Sequence, residues 1–311
     1  MSVLAWLGAR AQWVLAIGVV SALFIPGPGA LLAGTLPFWV ALLMGLAMMR
    51  IDLGAVALGA LAPRRLALTL GVAAGLLLLT PTTFWLIGQA IGLPPQLLAA
   101  LVLTGAAPPL GSGAAFCLMI GFNAAFAIEL TVLCSLLVPV TMPLITRLLL
   151  GDAVPVETFD MAIRLGILIG AAAGGAILGR LLLGAERIDR LRLPLDGISS
   201  VILVIFLFPL FEGLLGQMIS APGLALGTLA LAAAANLGVQ MGLFAPLRRL
   251  SGFATGGASA LIAGNRNAAL SLASTPPDPI LTLYVALYQF PMYFTPLVMG
   301  RVAGPPPERV R

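Results

Sequence analysis

Two short stretches decide how this sequence is read: Ala107-Pro-Pro-Leu-Gly-Ser-Gly113 and Ala263-Gly-Asn-Arg-Asn267. Each interrupts a long apolar run. Pro108 and Pro109 lack the N–H that a helix interior needs, and they push the preceding backbone toward extended conformations. Gly264, Asn265, Arg266 and Asn267 put amides and a guanidinium where an apolar helix is expected to continue. The chain around them is 60% hydrophobic and 9% charged over 311 residues, against about 25% charged in ordinary soluble domains. Its mean hydropathy is +1.11. No water-soluble surface can be built from that composition, so nearly the whole chain is expected in lipid.

Working outward from the two breaks, Pro, Gly and Arg punctuation divides the chain into about ten apolar stretches long enough to cross a bilayer, near residues 10–25, 33–50, 66–91, 96–121, 124–149, 158–184, 197–216, 222–246, 252–276 and 279–301. With ten spans both termini share a side. Apart from Arg266, every arginine flanks that side except Arg147 and Arg164. Excess arginine marks the cytoplasmic face, so both termini are expected to be cytoplasmic with Asp152, Glu157, Asp160 and Asp278 opposite; the bacterial-type family resemblance given below implies a plasma membrane, the bacterial inner membrane. The polar connection at 151–157 separates residues 1–150 from 151–311, five spans each, and an odd number per half inverts the second half. The breaks then fall in the fourth and ninth spans, corresponding positions of the two halves. Matched interruptions in inverted repeats are a device of secondary transporters, because unpaired backbone at membrane depth is tolerated only beside protein, a watery cavity or a solute. The fold expected is an all-α polytopic membrane protein of two inverted five-helix repeats with discontinuous fourth and ninth helices, which the family resemblance given below implies to cross.

Composition also excludes. The sequence has no histidine, which removes Ser-His and Cys-His catalysis, HExxH zinc sites and haem ligation by histidine. No metal or cofactor is expected, and no enzyme constellation emerges. All the basic residues are arginine, in short clusters between apolar blocks and not in a stripe interleaved with aromatics, so no nucleic-acid partner is implied. Cys117 and Cys134 lie in apolar runs and read as small core residues. The segment 185–196 reads as a solvated cytoplasmic connector.

Arg266 is the most informative side chain. A guanidinium halfway along a span costs at least about 2.5–3.5 kcal/mol and should face protein, water or an anion. Two readings stand side by side: a receptor for a carboxylate or other oxyanion, formed with Asn265, Asn267 and half-helix N-termini, or an ion pair with Glu129, the acidic residue within a predicted span interior. Asn236 and Gln240, four apart, share a helix face and either bond between helices or line a polar cavity. Ser112, Thr131 and Ser135 either coordinate a cation or bond back to their own helix.

This layout resembles the bile acid:sodium symporter superfamily along essentially the whole chain. The local matches are Met44-Gly-Leu-Ala-Met-Met-Arg-Ile-Asp-Leu53, Gly92-Leu-Pro-Pro-Gln96, Leu103-Thr-Gly-Ala-Ala-Pro-Pro109, and Gly264-Asn-Arg-Asn-Ala-Ala-Leu-Ser-Leu-Ala273, which is similar to the family's Gly-x-Gln-Asn-Ser-Gly-Leu. The resemblance implies a core domain of spans 3–5 and 8–10 that rocks against a panel of spans 1–2 and 6–7. It also implies where the sequence departs. Of the positions that hold sodium in the family, Ser112 is kept, the Asn is Gly113, the Glu is Ile262 and the Gln is Arg266. On the fifth span, one extra residue around Phe122-Asn123 places Thr131 on the family's Thr and Ala127 on its Ser; without it both positions are apolar, Phe126 and Leu130. Glu129 points away from the site in the first register and inward in the second.

The expectation that follows is a divergent bacterial-type member, a secondary transporter of a small organic anion whose substrate contacts are Arg266, Asn265, Asn267, Ser112, Gly113 and Pro108. Standard sodium coupling is doubtful, with Ser112, Thr131 and Glu129 the residues left for sodium or a proton. Two alternatives are kept: a non-transporting sensor or scaffold of the same fold, and an arsenite-type exporter, disfavoured because Pro109 and Leu110 occupy the neighbourhood of its fourth-span Cys.

Overall fold

Backbone that enters a bilayer must satisfy its own N–H and C=O groups, and an apolar run does so by coiling into a helix. The computed structural model of the protein, which describes residues 2–25, 29–50, 63–151, 154 and 157–305, is helical throughout, and its one β feature is an isolated bridge between Pro109 and Arg266. Asp52, Asp152, Arg309, Arg311, the end of the Met44–Leu53 match and most of the 151–157 connection lie outside the described residues.

Five helical runs among the described residues are long and apolar enough to cross a membrane: Arg65–Ala90, Ala124–Leu150, Thr158–Leu183, Arg192–Leu210 and Pro222–Gly264. The pair Val3–Ala9 and Trp13–Phe24, bent by 91°, is a candidate for a sixth. That count is below the expected ten for a physical reason. The 96–121 stretch is split into the half-helices Pro95–Ala106 and Gly113–Ile120, and the 252–276 stretch ends one helix at Gly264 and makes another at Ala269–Ser274. No half is long enough by itself. The 43-residue Pro222–Gly264 run also joins two expected stretches. It is interrupted by Gly252 at φ 81°, ψ 171°, a conformation that an L side chain resists. The 185–196 segment is not a loop: Ala185–Arg190 is a short helix and the next helix starts at Arg192.

The helices pack in two groups. Val3–Ala9, Ala11–Phe24 and Leu36–Met49 lie against Thr158–Leu183 and Arg192–Leu210. Arg50 holds this group's end, pairing with Asp196 and donating to Ser199 Oγ at 2.9 Å, while Arg180 donates to the Met49 carbonyl at 3.1 Å, a cation placed at a helix C-terminus. In the other group, Pro95–Ala106, Gly113–Ile120, Ala124–Leu150, the 222–264 run and Pro279–Ala303 surround a core in which Leu103, Leu130, Met142, Leu261, Tyr284 and Tyr288 are fully buried. The groups meet where Ala124–Leu150 packs on Thr158–Leu183 and where Ala269–Ser274 packs on Leu36–Met49.

Two helices carry one π-helical turn each, Gly75–Leu79 and Ala234–Gly238. Such turns free backbone groups for other partners, and both lie beside the interruptions described next.

Gly252→Ala is expected to lower thermal stability in detergent by about 1 kcal/mol, since alanine must be forced to positive φ. Gly227→Ala, where a Cβ meets nothing within 4 Å, should be neutral or stabilising. Equal melting of the two variants would mean that the kink is not held by Gly252.

Candidate functional site

The two interruptions cross. Leu110 N–H donates to the Asn265 carbonyl at 2.9 Å and Asn267 N–H donates to the Pro108 carbonyl at 2.9 Å. This makes Pro109 and Arg266 an antiparallel pair. Broken backbone at membrane depth is thus satisfied by the other break. The prolines suit this place because they have no N–H to strand, and Ala107 ahead of them is extended at ψ 154°, as the residue before proline prefers.

Arg266 sits at the crossing, 1% exposed and the largest of the fully buried side chains. Its Nε donates to the Ala263 carbonyl at 2.9 Å, Nη1 to the Ala107 carbonyl at 3.1 Å and Nη2 to the Leu76 carbonyl at 2.6 Å. Each acceptor has lost its helical donor. The amide that would reach Ala263 is that of Asn267, which bonds Pro108 instead. Ala107 ends its helix at the prolines. Leu76 lies in the π turn, where Thr80 N–H bonds Gly75, and the following residue, Pro81, has no N–H. Two of the carbonyls therefore stand at half-helix C-termini, the negative ends of those helices. This differs from the expected arrangement, in which Arg266 joins half-helix N-termini. The other partner expected for it, Glu129, is elsewhere: buried at 3% exposure, it accepts from Arg65 at 3.0 and 2.6 Å and from Thr69 at 2.8 Å. No carboxylate lies within 4.0 Å of Arg266 among the described residues.

Residues 37–183 match the sodium bile acid symporter family, a stretch that includes the first break and its prolines. The match covers a little under half of the chain and supports its resemblance to the bile acid:sodium symporter superfamily. Members of that family are transporters, and the chain has, among its described residues, apolar helices long enough to cross a membrane. No curated protein matches the chain.

Among the positions that the superfamily resemblance singles out, Gly113 and Ile262 are neighbours: a Cβ on Gly113 would lie 3.4 Å from Ile262 Cγ2. Ser112, half-buried, precedes the Gly113–Ile120 helix, and its carbonyl accepts from Ala115 and Phe116 at 3.0 and 3.2 Å. Thr131 bonds back to the Ala127 carbonyl at 2.8 Å, while Phe126, Ala127 and Leu130 are buried. Asn267 is half-buried, and its side-chain amide, unlike its backbone, has no hydrogen bond among the described residues.

Asn236 and Gln240 are fully buried and bond between helices. The Asn236 amide donates to the Gly264 carbonyl at 2.8 Å and to Asn265 Oδ1 at 3.3 Å, and Gln240 donates to Asn236 Oδ1 at 2.9 Å. Gly264 permits this approach, because a Cβ there would overlap the Asn236 carbonyl. Thr295 donates to Asn265 Oδ1 at 3.2 Å, Tyr288 Oη accepts from Arg266 N–H at 3.1 Å, and Tyr288 O–H donates to the Gly264 carbonyl. Sequence reading missed Tyr288, Thr295 and Leu76. The signal for Leu76 was present, since Pro81 inside an apolar stretch strands a carbonyl one turn earlier.

Tyr288→Phe leaves the buried Arg266 N–H without an acceptor and is expected to cost about 1–3 kcal/mol, read as a lower melting temperature in detergent. Wild-type melting would show that this hydroxyl does not hold the second break.

Proposed function

We propose that the chain is a secondary active transporter of a small organic anion, working by alternating access and without the sodium coupling usual in its family. The observation that carries this is the charge arrangement at the crossing. Two half-helix C-termini contribute about −0.5 charge each, and the Arg266 guanidinium lies against both, at the Ala263 and Ala107 carbonyls. The cation-attracting side of the crossing is neutralised by a residue of the chain. The start of the Gly113–Ile120 helix, with its partial positive charge, is left to act on a solute. Asn267 and Ser112 supply hydrogen bonds there, Gly113 and Pro108 allow close backbone approach, and Arg266 with Asn265 holds the shape. Ile262 against Gly113 puts an apolar methyl where a cation would need oxygen ligands.

In this reading residues 1–150 and 151–311 are inverted repeats. The spacing of irregularities supports it: the π turns begin 159 residues apart, and Ala107 and Arg266, bonded across the breaks, are also 159 apart. The two packed groups of helices serve as core and panel, the termini are cytoplasmic in a bacterial inner membrane, and the chain is not an enzyme.

A second reading, protons as the driving ion, is favoured by one observation: Glu129 is the buried acidic side chain among the described residues. A pH gradient that drives uptake by the wild type and not by Glu129→Gln would select it.

In proteoliposomes, uptake of labelled organic anions is expected to be equal in sodium and in choline medium. Asn267→Ala should lower kcat/KM about tenfold or more, the loss of one hydrogen bond to a charged solute. Uptake that requires sodium, or no uptake of any carboxylate or sulfonate, would overturn the reading.

A further inference from the structure

We infer that the Arg266 guanidinium is a resident cation, covalently tethered in a site that the backbone builds for a free monovalent cation, and that removing it opens that site. The inference deepens the proposal of a sodium-independent carrier and rests on it only for its meaning in transport; the geometry stands by itself. Three carbonyl oxygens from three different elements surround one guanidinium, each taking a different nitrogen: Leu76 from the π turn, Ala107 from the first break and Ala263 from the second. None has a backbone donor in reach, for the reasons given above. Carbonyl oxygens gathered around one group, two of them at the negative ends of helices, attract a cation. No carboxylate completes the set among the described residues, so the oxygens are neutral dipoles suited to a singly charged ion. The position is enclosed: Arg266 is 1% exposed, and Tyr288, which bonds its backbone, is at 0%. An unmatched group of carbonyls cannot be left to water there.

A fixed cation has a functional consequence that a free one lacks. It cannot leave during the transport cycle, so the crossing is assembled in every state, and substrate movement is uncoupled from the gradient of that ion. Arg266 is in this sense the residue that sets ion dependence, acting through the crossing and not by touching substrate.

The test is thermal unfolding of Arg266→Gly in detergent, with methylguanidinium, sodium, potassium or choline added at millimolar concentration and constant ionic strength. The glycine variant is expected to melt at least about 5 °C below wild type. Methylguanidinium or sodium should return half or more of that loss saturably, while choline returns none and wild type responds to none of them. A glycine variant that melts with wild type, or that loses stability and responds to no small cation, overturns the inference. Should the glycine variant not fold in plain buffer, purification in methylguanidinium or sodium is the same test, and recovery of folded protein only there supports it. Arg266→Met fills the volume without charge and is expected to be as unstable as glycine and deaf to cations; a stable Arg266→Met overturns the inference too. Anion uptake by wild-type proteoliposomes is read separately: cation rescue without uptake sinks the proposed transport function and leaves the resident cation, and uptake without rescue does the reverse.

Discussion

Three carbonyls that no backbone amide can reach are bound by a single guanidinium, and the arrangement of the rest follows from that meeting. A helix broken in a bilayer strands several polar groups, each worth several kcal/mol if left bare. Here each break satisfies the other through two amide–carbonyl bonds, and Arg266 takes up the remaining carbonyls. The costs of a buried charge and of interrupted helices are each offset by the other. The surrounding polar set, Asn236, Gln240, Asn265, Tyr288 and Thr295, then orients the second break from behind. Such a network is stabilising to the extent that its members are satisfied together; it joins the run ending at Gly264 to Pro279–Ala303, with Gln240 Oε1 left without a partner among the described residues.

Much of this was legible in the sequence. A proline pair at one break, and glycine with a mid-span arginine at the other, located both, and the even distribution of apolar residues identified a membrane fold. Family resemblance identified the class of protein, and the matched segment 37–183 agrees with it. What did not follow was the direction of Arg266. A guanidinium beside two asparagines reads from sequence as an anion receptor, because side-chain type reveals charge and not which end of a helix lies next to it. Only the crossing places the C-termini of Pro95–Ala106 and of the run ending at Gly264 against it. The partner of Glu129, which the sequence left open between two registers, was not legible for a similar reason. That partner, Arg65, reads as a flanking residue until the helix phase of both segments is known.

The span count shows the same limit from another side. Hydropathy detects continuous runs, whereas Gly113–Ile120 and Ala269–Ser274 are too short to register and the Gly252 kink lies inside one apolar run. Irregularity is thus concentrated where the polar network lies, and the regular helices around it supply a rigid frame.

The distance along the chain between Arg266 and its acceptors has a consequence for biogenesis. Ala107 precedes it by 159 residues and Leu76 by 190. A chain made from its N-terminus inserts both carbonyls well before the arginine leaves the ribosome. The segment that carries Arg266 pays the full cost of a charge in lipid if it enters the bilayer alone, but meets a prepared receptor if the first half has already packed. Synthesis from the N-terminus thus makes the acceptors before the arginine, whereas a circularly permuted chain that made the second half first would make the arginine before its acceptors.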